Sequence, residues 1–237
     1  MLKPLLASWD AKSAPSQIRL NAYLSELISA LRPLPDSDEP LFLDFRIGVS
    51  DPKTLLIACD LENYLFPLFG TKWLPPGRFA LVRATKQVGV QHRIAIGTAF
   101  AQQPILTDWQ HAEIDAGAGH TTKPWKQRIR DKLAANCAPL PAGPATVQIV
   151  FRCSPQRNWT TLWKPAGDCM GPILGECRNY GFNPCDDRIT ELDLHKAIDD
   201  DCGNDVEIHY WWRSARIGDA TPEDRSRLSR PDPSAAR

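Results

Sequence analysis

Asp60 and Glu62 flank Leu61, and Asn63 follows. In an extended segment, two carboxylates two residues apart point to the same side. Their repulsion is relieved by a divalent cation that binds both. An oxygen-only donor set of this kind suits magnesium or manganese, which activate water and stabilise a phosphodiester transition state. A solvated acidic pair near a turn would have the same spacing. A second polar set lies about a hundred residues further on. Lys164 and Asp168 are four apart and would share one face of a helix, while Asp186 and Asp187 immediately precede a strand-like run. The plain alternative there is an exposed lysine–aspartate pair followed by a turn.

Between Lys123 and Lys132, five basic residues stand against one acid, Asp131. Lys126 and Arg130 fall on one helical face, and Arg128 and Lys132 form a neighbouring row. Lys123, Lys126, Arg128, Arg130, Lys132 and the later Arg157 are therefore candidates for gripping nucleic-acid phosphates, which need cations on one face. Trp159 and Trp163 lie among Arg152, Arg157 and Lys164, a mixture able to stack on unpaired bases. A solvated helix face and core tryptophans are the alternatives. Lys+Arg and Asp+Glu both number 28, so a strongly basic nucleic-acid coat is excluded while a local basic face is not. His92, His111, His120, His195 and His209 show no metal-ligand spacing. Serine nucleophile elbows, phosphate-binding glycine loops and dinucleotide fingerprints are absent.

Seven cysteines without a Cys-x2-4-Cys knuckle fit free thiols in a reducing cytoplasm, although Cys169, Cys177 and Cys185 recur every eight residues. No apolar run reaches the ~18 residues of a membrane helix, and Met1 to Lys12 lack an export signal. A cytoplasmic protein without a membrane partner is expected.

The elements that must position these residues come twice. Residues 17–32 place Leu20, Tyr23, Leu24, Leu27 and Leu31 at helical spacing. A strand is expected at 41–49, a motif segment at Leu55–Gly70, and strands at Arg78–Lys86 and His92–Phe100. The second half repeats the order: a helix at 123–137, a strand at Ala145–Cys153, the segment Asn158–Gly175, then strands at Arg188–Ala197 and Val206–Trp212. The motif segments align without gaps at an offset of 98, setting Asp60 against Asn158, Glu62 against Thr160, Asn63 against Thr161 and Pro67 against Pro165. Residues 1–100 and 123–213 thus read as two repeats, 101–122 as a linker, and 214–237 as a disordered tail poor in apolar residues.

Residues 123–212 resemble RusA-type Holliday-junction resolvases, whose pattern is a helix, a strand, an Asp-x-Asp-Asn-Leu-x-Lys-x-x-x-Asp segment and an Asp-Asp pair opening the next strand. In NWTTLWKPAGD, Leu162, Lys164 and Asp168 fall on matching positions, and Asp186 of DDRITELDL matches the third metal-binding aspartate. Asn158 and Thr160 stand where the first two acids belong. The first half is the converse: DLENY matches the acidic start through Asp60, Glu62 and Asn63, while Phe66 replaces the lysine and Gly70 the later aspartate. No acid stands near Pro76–Phe79.

The resemblance implies an α+β fold of two RusA-like repeats, each a helix plus a small mixed sheet, arranged as a pseudo-dimer within one chain. That chain would act as a pseudo-dimeric monomer or a homodimer. It further implies branched or structured DNA as partner and cleavage with Mg2+ or Mn2+. Asp60, Glu62 and Asp186 would be metal ligands, Asn63 would orient them, Lys164 would stabilise the charged transition state, and Asp168 would complete the set. Each site of the family's dimer is complete within its own subunit, so the two half-sets are expected to stand apart. Catalysis would then need either a metal held by fewer ligands or motif segments that meet in space as a composite site. A non-catalytic DNA-binding or scaffold subunit, for instance in recombination or phage defence, and a protein-interaction module are the other functions the sequence leaves open.

Overall fold

The computed structural model describes residues 13–32, 34, 38–57, 60–70, 74–98, 109–119, 122–177 and 181–215. The expectations for the N-terminus and for most of the tail lie outside these residues. Helix α1 (Pro15–Leu31) opens with Pro at its first position and buries the stripe Leu20, Tyr23, Leu24, Leu27 and Ile28. Strand β1 (Leu41–Val49) alternates strictly between buried and half-buried positions. After α2 (Leu61–Gly70) come β2 (Phe79–Val88), β3 (Arg93–Thr98) and β4 (Gln110–Asp115). The basic helix is α3 (Lys123–Asn136), capped by the Thr122 side chain, which accepts from the Trp125 N–H. Strand β5 (Ala145–Cys153), the short helices α4 (Trp163–Gly167) and α5 (Gly171–Leu174), β6 (Ile189–Ile198) and β7 (Val206–Ser214) follow.

The strands form one seven-stranded mixed sheet in the order β3-β1-β2-β6-β5-β7-β4. Read outward from the central antiparallel β2–β6 pair, both sides run alike. A parallel neighbour comes first (β1 or β5), then an antiparallel one (β3 or β7). The register slips at the first residue of both parallel pairs, between Leu41 and Phe42 and between Ala145 and Thr146. β2 and β6 also bury the same positions in the same order. At the centre of the sheet Arg83 faces Asp193. The guanidinium donates twice to the carboxylate, at 2.7 and 2.9 Å. The helices bury their apolar stripes against alternate strand residues to make one core containing Leu24, Phe45, Trp125, Ile129, Phe151 and Trp159. The opposite face of the sheet keeps polar partners such as Arg83–Asp193.

Three expectations change. Part of the segment read as a linker is strand β4, paired along β7 and burying Ile114 and Ala116 in the core. Ser214 closes β7 rather than opening a tail, with the Ala215 N–H donating to the Pro144 carbonyl at 2.9 Å. Cys177 and Cys185, expected as free thiols, form a disulfide. The reason is local: an antiparallel bridge between Glu176 and Pro184 brings the two Cα atoms to 5.0 Å. Cys137, Cys153, Cys169 and Cys202 are free.

Candidate functional site

The DLENY segment is not extended. Asp60 stands just before α2, its carbonyl accepts from the Asn63 N–H at 3.1 Å, and the Asn63 amide donates to Asp60 Oδ2 at 2.8 Å. Leu61, Leu65 and Leu68 bury one helical face, which carries Glu62 in the first turn down beside them until it is 9% exposed. Gly167 makes that burial possible: a Cβ there would stand 2.6 Å from Glu62 Oε2.

In the second half a 3-10 turn (Trp159–Leu162) runs straight into α4, burying Trp159, Leu162, Trp163 and Ala166 and leaving Lys164 on the other side. The Lys164 ammonium donates to Glu62, and stands 3.2 Å from Asp168 Oδ1 and 3.5 Å from Asp186 Oδ2. Asp186 starts a second 3-10 turn, Asp186–Arg188, fixed by Arg188 donating to the carbonyls of Gly143, Leu174 and Pro141. Lys126 of α3 holds Asp168 Oδ2 at 2.9 Å, and Lys86 of β2 donates to the Asp187 carbonyl.

The two half-sets therefore meet. Glu62 from one half and Asp168 and Asp186 from the other surround the Lys164 ammonium, and Asp60, held by Asn63, feels the charges of Lys164 and Asp186, so the halves do not keep separate sites. The reason is topological. Because β2 and β6 pair antiparallel while β1 runs parallel to β2, the turn opening β6 lies beside the ends of β1 and β2, where Asp187 meets both Lys86 and Asp60.

Five carboxylates (Asp60, Glu62, Asp168, Asp186, Asp187) face four cations (Lys86, Lys126, Lys164, Arg188), leaving a formal surplus of one negative charge. Burial, then the Asp186 charge, raises Asp60 above its ordinary value. Burial lifts Glu62 to about 8, with Lys164 opposing and Asp186 and Asp168 assisting. Burial and then Asp60 raise Asp187. Burial pulls the Lys164 ammonium down, but Glu62, Asp168 and Asp186 outweigh it and hold the group protonated.

The expected metal ligands Asp60, Glu62 and Asp186 are not closed on one another, because the ammonium lies among the acids. Among the described residues, the trio whose ligand atoms come within 4.8 Å of one another is Glu113, Glu207 and His209, on the β4–β7 pair. By donor type the cluster around Lys164 nonetheless offers the carboxylate oxygens that a divalent cation takes.

The cations of α3 are more committed than their spacing indicates. Lys126 is taken by Asp168, and Arg130 lies 2.9 Å from Glu176 and over the Phe182 ring. Arg128 and Lys132 donate to the carbonyls of Ala116 and Asp115, and Lys123 is exposed. Arg157 is partly exposed in the turn before Asn158. Sequence reasoning missed Lys86 as a member of the site. Its signal was its phase: it follows Val82 and Ala84 on the buried register of β2. No protein-family model matches the chain, and no curated protein matches it.

Proposed function

We propose that the chain is a fused pair of diverged RusA-like repeats, arranged as a pseudo-dimer, that binds branched or structured DNA and cleaves it with a divalent metal at the composite centre around Lys164. The observation that carries this reading is the meeting of two incomplete acidic motifs, a hundred residues apart, in one cluster with surplus negative charge. The matching order, register slips and burial of the two half-sheets support the repeat.

Asp60, Glu62 and Asp186 would hold Mg2+ or Mn2+, which when bound polarises the scissile phosphate and acidifies water. The chain's own groups do the rest. Asn63 fixes the Asp60 carboxylate through its amide. Asp168, tied to Lys126, steadies the lysine on which it acts. Lys164 supplies a protonated group beside the acids, placed to stabilise charge on a reacting phosphate.

The second reading is a DNA-binding or scaffold subunit without catalysis, favoured by the ammonium standing among the acids. Incubating the protein with four-way, forked and single-stranded DNA in Mg2+ or Mn2+ separates the two. Incision supports the catalytic reading. Binding without incision supports the scaffold, and neither one supports a protein-interaction module.

A further inference from the structure

Arg83 and Asp193 occupy the same position in β2 and β6, and they are also partners across that ladder. A two-fold axis relating the half-sheets therefore passes through this pair. The same axis gives five charged residues of the Lys164 centre a counterpart. Asp60 corresponds to Asn158, Glu62 to Thr160, Lys164 to Phe66 and Asp168 to Gly70, all within the ungapped motif match. Asp186, first in the turn before β6, corresponds to Pro76, first in the turn before β2.

These five are uncharged at the counterpart, although the centre's Lys86 corresponds to another lysine, and Pro76, Asn158 and Thr160 are bonded elsewhere. The Trp159 indole N–H donates to the Pro76 carbonyl at 3.1 Å, and the Thr160 hydroxyl donates to Asn158 Oδ1 at 2.8 Å. Lys196, at the β6 position matching Lys86, donates to the Pro155 carbonyl at 2.8 Å.

We propose that the chain carries one incision centre where its fold provides two places for one, so that each binding event cuts a single strand. The inference rests on the cleavage reading above. In the step, one water adds to one phosphodiester and one P–O bond breaks. A phosphate monoester end and a hydroxyl end form, and the proton of the phosphate leaves to solvent. A substrate with two equivalent strands across the axis meets acids on one side and Asn158, Thr160 and Phe66 on the other.

Two measurements on the full chain test this. In the first, protein in excess over a supercoiled plasmid bearing an extruded inverted repeat is given Mg2+, and the first turnover is followed. The expected product is the nicked circle, with linear DNA forming only in a later, slower phase. In the second, Mn2+ is titrated into the protein. One ion per chain is expected, with affinity falling at least tenfold in Asp60→Asn and unchanged in Asn158→Ala. Linear DNA in the first turnover, or two equivalent Mn2+ ions, overturns the inference while leaving the cleavage reading standing. Absence of both incision and Mn2+ binding overturns both.

Discussion

Lys164 is the residue on which the site turns, because its ammonium is shared by Glu62, Asp168 and Asp186. Lys164→Met would leave three neighbouring acids without that cation. Removing one partner of a buried pair is strongly destabilising, but the lysine side chain is 36% exposed, which reduces the expected loss to about 2 kcal/mol. Urea unfolding at pH 8 should show that loss, and it should shrink at pH 5, where Glu62 is protonated. Glu62 gives a second test. It holds its proton to about 8 in the folded chain against an ordinary 4.5, so between those values the folded chain binds more protons than the unfolded one. Its contribution to stability is complete below pH 4.5 and is lost as pH rises through 8. Glu62→Gln should flatten the melting temperature over this window and melt above the parent at higher pH. A parent whose melting temperature rises steadily from pH 5 to 8 by the same amount as the variant's would contradict the assignment.

Among the elements, the β2–β6 pair is held at its centre by Arg83 and Asp193, whose side chains are about one-fifth exposed. Arg83→Asp sets two acids face to face and should cost about 2–3 kcal/mol, whereas adding Asp193→Arg should recover most of it. Denaturant midpoints of the two single variants and the double exchange measure the coupling. On α3, Lys126 and Arg130 are engaged by Asp168 and Glu176, so under the proposed DNA-binding reading phosphates would meet Lys123, Arg128 and Lys132. Replacing those three by Ala should weaken DNA binding and flatten its salt dependence by about one unit for each phosphate no longer neutralised. An unchanged salt slope would remove α3 from the interface. These elements were legible where period and composition agree: α1 from its leucines, α3 from Trp125, Ile129 and Leu133, and β1 and β5 from their alternation. β4 was not, because HAEID shows little apolar pattern and becomes a strand only by lying along β7.

At the scale of the whole molecule, the sequence separated the right residues into the wrong number of places. Asp60, Glu62, Asn63, Lys164, Asp168 and Asp186 were all visible as chemistry-bearing types, yet nothing in local spacing says that β2 pairs with β6. That long-range pairing is what turns two partial motifs into one cluster, and it also recruits Lys86, whose mark in the sequence was its buried phase on β2. The disulfide escaped for a similar reason, since an eight-residue spacing becomes a bond only once Glu176 and Pro184 pair. The claim that the two halves supply a single working centre is tested most directly by incision of a strand-labelled four-way junction in Mg2+, comparing the parent with Asp60→Asn and Asp186→Asn. The account predicts incision by the parent and its loss, by at least a hundredfold, in each variant, with junction binding retained in both. Incision that survives either substitution at the parental rate, or a parent that binds the junction and never cuts it, would contradict it.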